Sequence, residues 1–551
     1  MNTFKRIVTF AAEAKGIKGV LVLVMGALVF AMPFVTKSLD FGFPVSIVFG
    51  MCGWLGLSVL FLTVFDFKKT LKRVLYSLFC FFFAFYFFVY SWFINLYPLD
   101  FAGLGSLESI GVIIVAMTLI PLIHSMLMSA CVFAGYIVAK RFDNGFFKAI
   151  LVSLGYVLGE YSQSLGTFAF PWARLFVGQT YAVELLQSAS LFGSYFITFI
   201  MVIVNALVAM SAMNAGKKGN KSRMFALAAL GIFAVNLAFG IVRVNVTDYS
   251  ECDTLDAVVL QGNIPSSEKW SGDVDERSIY VSLSKTAKEE CENKKLRADI
   301  AVIPETAFPV SLIHDDVHTS LYENAAISMS ETLDAQVFVG AFARDGENRY
   351  NSIFVYDKEG FVSGPYNKYN IVPFGEFLPY RSFIERIAPS FAEINVLSSD
   401  LSRGENFTPL KTKAGDAACL VCFDSIFPET ARIQVRNGAD FIVISTNDSW
   451  YKTSSAIYQH ADHAVMRAIE NNVPVIRSAN TGISRIISPS GKVQASTEVN
   501  ERTLLAERVT LPKKTTLYTV TGDIIVPLSA LLLICAYIVG TVKMKKASHT
   551  K

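Results

Sequence analysis

The sequence is short of charge. Asp, Glu, Lys and Arg make up only 17% of its 551 residues, whereas a soluble globular domain carries roughly 25%. Hydrophobic residues make up 52% and aromatic residues 13%. This composition excludes an ordinary soluble cytosolic enzyme and the disordered and fibrous classes of protein. It predicts a membrane protein with an attached domain.

Net charge and cysteine are also scarce. The 49 basic and 46 acidic residues leave a formal net charge of +3, which does not favour nucleic acid as a partner. Eight cysteines are too few for a scaffold built on disulfides. Cys252 and Cys291 could pair in an oxidising compartment, and the spacing leaves that question open. The compartment has to be inferred from topology.

Long apolar runs, in contrast, are abundant. Eight of them suit about 30 Å of hydrocarbon, and they lie near residues 17–35, 43–65, 74–97, 109–139, 147–166, 190–212, 224–244 and 523–542. The first run follows basic residues, as a signal peptide does, but no cleavage site is evident and a second run follows almost at once. We therefore expect it to be retained, in a multi-pass helical bundle of about eight spans.

Basic residues occupy every second loop between these runs, in the clusters Lys5/Arg6/Lys15/Lys18, Lys68/Lys69/Lys72/Arg73, Lys140/Arg141/Lys148, Lys217/Lys218/Lys221/Arg223 and Lys543/Lys545/Lys546. Because cytoplasmic loops are enriched in Lys and Arg, both termini are expected in the cytoplasm. The predicted organisation is a seven-span bundle at 1–246, an extracytoplasmic domain at 247–518, and a C-terminal helix with a short basic cytoplasmic tail at 519–551.

The segment 247–518 alternates short apolar runs with amphipathic stretches. Strands are predicted at 255–261, 300–303, 336–341, 352–356, 417–421, 441–445, 473–477 and 483–487. Helices are predicted at 275–293, 320–333, 428–437 and 456–471. This alternation favours an α/β domain with helices covering the faces of a sheet.

Reactive side chains follow several of these strands. Glu305 comes after the strand at 300–303, Cys422 after 417–421 and Asn447 after 441–445. Because reactive groups tend to gather beyond the carboxyl ends of strands in α/β sheets, we expect them at one edge. Lys368, in a loop broken by Pro and Gly, is an available cation that could stabilise an oxyanion, and Glu305 could take the proton of the thiol.

Each of these residues also has an ordinary structural explanation. A cysteine after a strand is most often packing, and a loop lysine or a glutamate after a strand is most often solvated. The combination is more informative than any one of its members.

The motifs around these residues resemble the Glu-Lys-Cys triad of the nitrilase superfamily: Ile303-Pro-Glu305, Lys368 followed eight positions later by Glu376, and Cys422-Phe-Asp with Phe427-Pro-Glu429. Within that superfamily, the eight spans and several further motifs resemble bacterial apolipoprotein N-acyltransferases. These motifs are Gln261-Gly-Asn-Ile-Pro265 leading to Trp270, Asn447-Asp-Ser-Trp450-Tyr451, Gln459-His460, Arg477-Ser-Ala-Asn480 and, in the membrane part, Pro171-Trp172 and Gly193-Ser-Tyr195.

The resemblance implies a nitrilase-like αββα sandwich as the catalytic domain, facing the periplasm on a bundle in the bacterial inner membrane. It implies an N-acyltransferase that works through a thioester acyl-enzyme. The acyl donor would be a phospholipid, typically phosphatidylethanolamine, and the acceptor the α-amine of the diacylglyceryl-cysteine that begins an apolipoprotein. This is the last step of lipoprotein maturation, and the resemblance implies no metal or other cofactor.

By the same resemblance, Cys422 is the nucleophile, Glu305 the general base and acid, and Lys368 the oxyanion stabiliser. Supporting or substrate-binding roles fall on a further set of positions: Trp270, Glu376, Phe423, Asp424 and Asn447. The chain departs from the common Cys-Tyr-Glu pattern at Phe423 and Asp424, so one hydroxyl is lost and one carboxylate is a methylene shorter.

Other interpretations compete with this one. A membrane-anchored amidase or hydrolase would use the same chemistry and release the acid to water. A transporter or channel would leave the domain without activity. The apolar runs contain few charges, which argues against a transport pathway.

Glu160, Arg174 and Glu184 lie near one outer loop, where they could line substrate access or simply lie at the interface.

Four smaller signals remain. His314 and His318 lack the glutamate of a zinc-protease helix, and His460 is expected to make satisfied polar contacts beside the site. Cys419 should point away from Cys422 into the core, because residues three apart on a strand face opposite sides. The apolar stretch containing Phe374, Phe377, Leu378, Phe383 and Phe391 could be a membrane-dipping lid or part of the core of the domain.

Overall fold

The computed structural model describes residues 16–39, 42–67, 69–99, 104–247, 249–269, 273–312, 317–387 and 400–549. These residues fall into two compact units. The first takes in the described residues up to Phe93, Ile113–Val246 and those from Asp523 onward. The second takes in Ile94–Val112 and Thr247–Gly522.

The first unit is helical. In chain order its helices are α1 (Gly16–Val35), α2 (Gly42–Leu55), α3 (Ser58–Val64), α4 (Leu71–Val89), α5 (Ser106–Ala139), α6 (Gly145–Ser162), α7 (Ala189–Phe192), α8 (Ser194–Asn214), α9 (Lys221–Val246) and the C-terminal helix Ile525–His549. Among the described residues, seven helical stretches are long and apolar enough to cross a membrane. The protein is therefore a multi-pass membrane protein.

Those seven stretches coincide with seven of the eight expected spans. The remaining expected span, at 147–166, coincides with α6, which ends at Ser162 and carries Lys148 and Glu160. The expected span at 43–65 is divided between α2 and α3. The division lies at Gly56, where an added Cβ would stand 2.7 Å from the backbone nitrogen of Phe30 in α1, so only glycine allows the break between α2 and α3 to lie this close to α1.

Glu160 and Arg174, which the sequence places near one outer loop, form a buried ion pair. Arg174 Nε donates to Glu160 Oε1 at 2.5 Å, and both side chains are almost fully buried. Ser194 accepts from Arg174 Nη2 at 3.0 Å, and Thr198 donates to Glu160 Oε1 at 2.8 Å. This pairing has a physical reason, because charges inside an apolar bundle persist where they pair with each other.

The second unit contains twelve strands in its described residues. They are β1 (Asp253–Gln261), β2 (Ile300–Val302), β3 (Gln336–Asp345), β4 (Asn348–Asp357), β5 (Gly360–Asn367), β6 (Leu410–Thr412), β7 (Gly415–Val421), β8 (Phe441–Thr446), β9 (Val475–Ala479), β10 (Arg485–Ile487), β11 (Val493–Ser496) and β12 (Thr503–Leu511). The strands form two six-stranded sheets, with the orders β12-β1-β2-β3-β4-β5 and β11-β10-β9-β8-β7-β6.

The two sheets pack face to face. Alternate residues of each sheet meet in one apolar core, for example Val259, Val302 and Phe338 against Val421 and Val443. The helices of this unit are α10 (Ser266–Lys269), α11 (Glu276–Lys294), α12 (Val317–Leu333), α13 (Arg381–Ile387), α14 (Pro428–Arg436), α15 (Ser455–Asn471) and α16 (Leu517–Thr521). Because α11 and α12 cover the outer face of one sheet and α14 and α15 that of the other, the predicted αββα sandwich is confirmed.

All eight predicted strands and all four predicted helices are present, with ends that differ by a few residues. Four strands were not predicted, namely β5, β6, β11 and β12. They are the outer strands of the two sheets. Each is partly exposed, so none carries the continuous apolar run by which the buried strands were recognised.

Candidate active site

Cys422 occupies a sharp turn at the carboxyl end of β7. Its φ is +49°, in the left-handed region that a residue with a side chain rarely adopts. The chain then forms a short 3-10 helix, Cys422–Ile426, and enters α14 with Pro428 in its first turn. The carbonyl oxygen of Cys422 accepts from Ser425 Oγ at 2.7 Å. Such a conformation persists only where its surroundings hold it in place.

Glu305 follows β2 and is buried, with all of its carboxylate contacts made to polar groups. Oε2 accepts from the backbone N–H of Asn447 at 2.8 Å. Oε1 accepts from Asn351 Nδ2 at 2.6 Å and from Lys368 Nζ at 3.4 Å. Gly340 leaves room for this turn, since an added Cβ there would lie 2.1 Å from the carbonyl oxygen of Pro304.

Lys368 is only 1% exposed and lies between two carboxylates. Its Nζ is 2.8 Å from Glu376 Oε1 and 3.4 Å from Glu305 Oε1. Burial acts to lower the pKa of the Lys368 ammonium, but the charges of Glu376 and Glu305 outweigh burial and raise this pKa above its ordinary value. The side chain therefore remains a cation at neutral pH.

The thiol of Cys422 is protonated at rest. Burial raises its pKa, the charge of Glu305 raises it further, and the Lys368 ammonium lowers it in part. These interactions also show that the thiol, the carboxylate and the ammonium are close enough to act on one another. A protonated thiol needs a base before it can attack a carbonyl carbon, and Glu305 is a carboxylate within this group.

The supporting residues named from the sequence divide into three cases. Glu376 contacts Lys368 directly, and Asn447 contacts Glu305 through its backbone amide. Phe423 is buried and packs edge-to-face on Phe427, with ring centroids 5.3 Å apart. Trp270 lies outside the described residues, as do His314 and Phe391.

Asp424 is fully buried and connects the cysteine turn to the loop that carries Lys368. Oδ2 accepts from Tyr366 Oη at 2.9 Å and from the backbone N–H of Val421 at 3.2 Å. Oδ1 accepts from the backbone N–H and from Nδ2 of Asn370, at 2.7 and 3.0 Å. Asp424 thus stabilises the geometry between two elements of the site.

Asn351 is a site residue that the sequence interpretation missed. Its Nδ2 donates to Glu305 Oε1 at 2.6 Å and to Glu376 Oε1 at 3.1 Å. It lies inside β4, in an antiparallel part of the sheet, and not at the end of a strand. Asn351 precedes the apolar run 353–356 of this strand, so a rule based on residues that follow apolar runs does not identify it.

A second buried polar group supports the cysteine turn from behind. His460 Nδ1 is 2.8 Å from Asp448 Oδ1, and its Nε2 is 3.2 Å from the carbonyl oxygen of Cys422. Arg477 Nη2 donates to Asp448 Oδ2 at 2.8 Å. Although burial acts to raise the pKa of Asp448, Arg477 and His460 hold that pKa well below its usual range. The polar contacts predicted for His460 are confirmed.

Two further expectations concern side chains around the site. Cys419 is fully buried in the core between the sheets, as predicted. In the segment proposed as a lid or as core, Phe374 and Phe383 are exposed, whereas Leu378 is buried. Phe374 and Phe383 thus lie at the surface of this unit, and Leu378 lies in its interior.

Both parts of the chain match known families. Residues 20–207 match the apolipoprotein N-acyltransferase N-terminal domain, and residues 263–514 match the carbon-nitrogen hydrolase family. The apolipoprotein N-acyltransferase of Geobacter metallireducens is 30% identical over 417 residues, which cover 75% of this chain and 78% of the relative. That of Gloeobacter violaceus is 28% identical over 464 residues, with 83% and 84% covered.

A solved structure, Saccharomyces cerevisiae Nit3, is described as a member of branch 10 of the nitrilase superfamily. It is 16% identical, covers 47% of this chain and 90% of its own, and gives a TM-score of 0.35. The αββα domain and the matched families together define a membrane enzyme of the carbon-nitrogen hydrolase class. The chain belongs to the apolipoprotein N-acyltransferase family, and it is an acyltransferase.

Proposed function

We propose that this protein transfers an acyl chain from a phospholipid, through a thioester on Cys422, to the α-amine of the diacylglyceryl-cysteine that begins an apolipoprotein. The observation that carries the proposal is the buried group of Cys422, Glu305 and Lys368. Membership of the family supports the acceptor. The phospholipid donor, with phosphatidylethanolamine as the expected headgroup, is part of the proposal.

In the first half-reaction, Glu305 takes the thiol proton as Cys422 Sγ attacks the ester carbonyl carbon of the phospholipid. The Lys368 ammonium stabilises the negative charge that develops on the carbonyl oxygen. The ester C–O bond then breaks, and the leaving lysophospholipid oxygen takes the proton from Glu305. The enzyme is left as an S-acyl cysteine.

In the second half-reaction, the α-amine attacks the carbonyl carbon of the thioester and gives a proton to Glu305. The C–S bond breaks, an amide is formed, and the sulfur of Cys422 is reprotonated. Donor and acceptor are both lipids held in one membrane, so their local concentration at the thioester is high, which favours transfer over hydrolysis.

The proposed location follows from the distribution of basic residues. With the Lys- and Arg-rich loops on the cytoplasmic side, both termini lie in the cytoplasm of a bacterium, and the domain at 247–518 faces the periplasm from the inner membrane. That orientation gives the site access to the outer leaflet of this membrane.

Intact-protein mass spectrometry tests the proposal. The purified full-length protein, wild type beside Cys422→Ser, is incubated with phosphatidylethanolamine, and a synthetic peptide with an N-terminal diacylglyceryl-cysteine is then added. We expect one acyl chain to add to the wild type alone and to be discharged onto the peptide as an amide.

Two outcomes would contradict the proposal. Discharge only to water, with the peptide present in excess, would point to a hydrolase. No mass gain on folded wild-type protein, with any phospholipid headgroup tried, would remove Cys422 from the role of acyl carrier.

A further inference from the structure

The turn that carries Glu305 is held from its backbone side by a second lysine. After β2 the chain passes through Pro304 and Glu305 to Thr306, whose φ is +44°. A β-branched residue in this region is strained and needs external support. Within the turn, the N–H of Ala307 donates to the carbonyl oxygen of Pro304 at 3.2 Å, which does not account for the position of Thr306.

Lys269 provides that support. Its Nζ donates to the carbonyl oxygen of Glu305 at 3.1 Å and to Thr306 Oγ1 at 2.6 Å. Lys269 is only 3% exposed. A buried ammonium is costly, so its use as a clamp on two adjacent residues indicates that the position of this turn matters.

The segment that carries Lys269 is itself connected to the carboxylate of Glu305. Asn480 accepts from the backbone N–H of Ile264 at 2.9 Å, and its Nδ2 donates to the carbonyl oxygen of Ile264 at 2.6 Å and to Asn447 Oδ1 at 3.2 Å. The backbone N–H of Asn447 donates to Glu305 Oε2. Glu305 is thus fixed at its carboxylate and at its carbonyl by groups that are joined to each other.

The charge around Lys269 fits this arrangement. Burial lowers the pKa of Lys269 to about 8, while Glu305 and Glu276 act to raise it, so the side chain is still an ammonium at pH 7. Lys269 also borders a cavity of about 390 Å³ whose other lining residues are Asp273, Val274, Asp275, Glu276, Arg277, Pro309 and Tyr322.

We propose that Lys269 is a positioning residue for Glu305: it clamps the Pro304-Glu305-Thr306 turn and so sets the direction from which the carboxylate meets the Cys422 thiol. Lys269 acts through Glu305 and does not touch the reacting atoms. This inference rests on the proposed thioester chemistry, because the proton that Glu305 removes is the thiol proton.

The test measures the rate of thioester formation on the full-length protein as a function of phosphatidylethanolamine concentration. Lys269→Met should lower the maximal rate at least tenfold and change the half-saturating lipid concentration less than twofold. Lys269→Arg keeps the charge but replaces a compact ammonium with a larger planar guanidinium at a buried position, so its maximal rate should fall between those of Lys269→Met and the wild type. Thr306→Val keeps the shape of the side chain, removes one of the two contacts, and should lower the maximal rate several-fold.

The matched control is Lys294→Met. Lys294 donates to the carbonyl oxygen of Ala506 and to Glu507 Oε1, both at 3.0 Å, away from the catalytic group, and its loss should leave the rate unchanged. A wild-type maximal rate in Lys269→Met would overturn the inference. If Lys269→Met does not fold, a wild-type rate in Thr306→Val would overturn it instead. Failure of the wild type to form any thioester would count against the proposed function. That outcome can be distinguished from failure of the Lys269 inference, in which the wild type still forms the thioester.

Discussion

Asp424 receives two hydrogen bonds from Asn370, one from its backbone N–H at 2.7 Å and one from its side-chain amide at 3.0 Å. The residue two positions after the cysteine therefore fixes the residue two positions after Lys368. The distance between the thiol and the ammonium depends on this link. Each of the two carboxylate oxygens of Asp424 accepts two hydrogen bonds.

Asp424→Asn should destabilise the catalytic unit. Both carboxylate oxygens accept hydrogen bonds, so an amide places N–H groups against the donors of Asn370 or of Tyr366 and Val421. We expect the midpoint of thermal unfolding to fall by on the order of 5 °C and thioester formation to slow at least tenfold. Asp424→Glu keeps both oxygens and should retain more activity than any variant that lacks Cys422, Glu305 or Lys368. An unchanged unfolding midpoint in Asp424→Asn would show that the link carries no stability.

Lys368→Met should slow acylation far more than it weakens lipid binding. The ammonium is placed to stabilise charge that exists only during the reaction, and the loss of one such group costs about 100- to 1000-fold in rate. The measurement is the rate of mass gain against phospholipid concentration, with the exposed Lys411→Met as control. A Lys368→Met protein that acylates at the wild-type rate would exclude the catalytic role of Lys368.

Removing the charge of Glu305 should make the Cys422 thiol easier to alkylate, although the same change should abolish acylation by phospholipid. Because burial and the Glu305 carboxylate raise the pKa of Cys422, less thiolate exists at pH 7 than for an ordinary cysteine, and the rate with iodoacetamide should still be rising above pH 9. Glu305→Gln removes the charge that raises the pKa, so its profile should shift to lower pH while phospholipid acylation is lost. Lys368→Met should shift the profile to higher pH. Identical profiles for all three proteins would show that these charges do not act on the thiol.

Membrane orientation can be tested by labelling introduced cysteines with a membrane-impermeant maleimide in intact spheroplasts. Glu347→Cys lies in the exposed turn between β3 and β4, and Lys217→Cys lies in an exposed loop between α8 and α9. We expect the first to be labelled directly and the second only after the membrane is permeabilised. The wild-type protein, with its own eight cysteines, sets the background. The reverse pattern would invert the proposed topology.

The buried strands of the two sheets could be predicted from the sequence, whereas the outer strands could not. Strands such as β7 and β8 are covered on both faces by apolar neighbours, so they appear as uninterrupted apolar runs. The outer strand β12 contains Glu507 and Arg508, and Arg508 pairs with Asp256 of β1 at 2.6 and 2.7 Å. Its identity as a strand depends on pairing with a segment about 250 residues away, which no local pattern records.

The site was predictable where it obeys the rule of strand ends, as for Glu305 and Cys422, and where a motif matched, as for Lys368. Asn351 and Lys269 were missed because their importance arises from contacts with residues 36 to 46 positions distant in the chain. Asp448 and His460 appeared in motifs, but their grouping beside the cysteine turn depends on how α15 packs against that turn and against β9. Such relationships are properties of the packed sandwich.

The pairing of β1 with β12 joins the first and the last strand of the catalytic unit. Asp253 pairs with Leu511 and Gln261 with Thr503, so the first strand to be synthesised has its neighbour supplied by the last. A chain that ends before Thr503 already contains Glu305, Lys368 and Cys422, yet β1 would have a bare edge and its sheet would lack a strand. Because β12 can join the sheet only once it has been made, and the entropy of closing so long a loop must be paid before the pairing is rewarded, the sheet is completed only after almost the whole chain has been synthesised. An interrupted product of translation would thus hold the three reactive residues on an incomplete sheet.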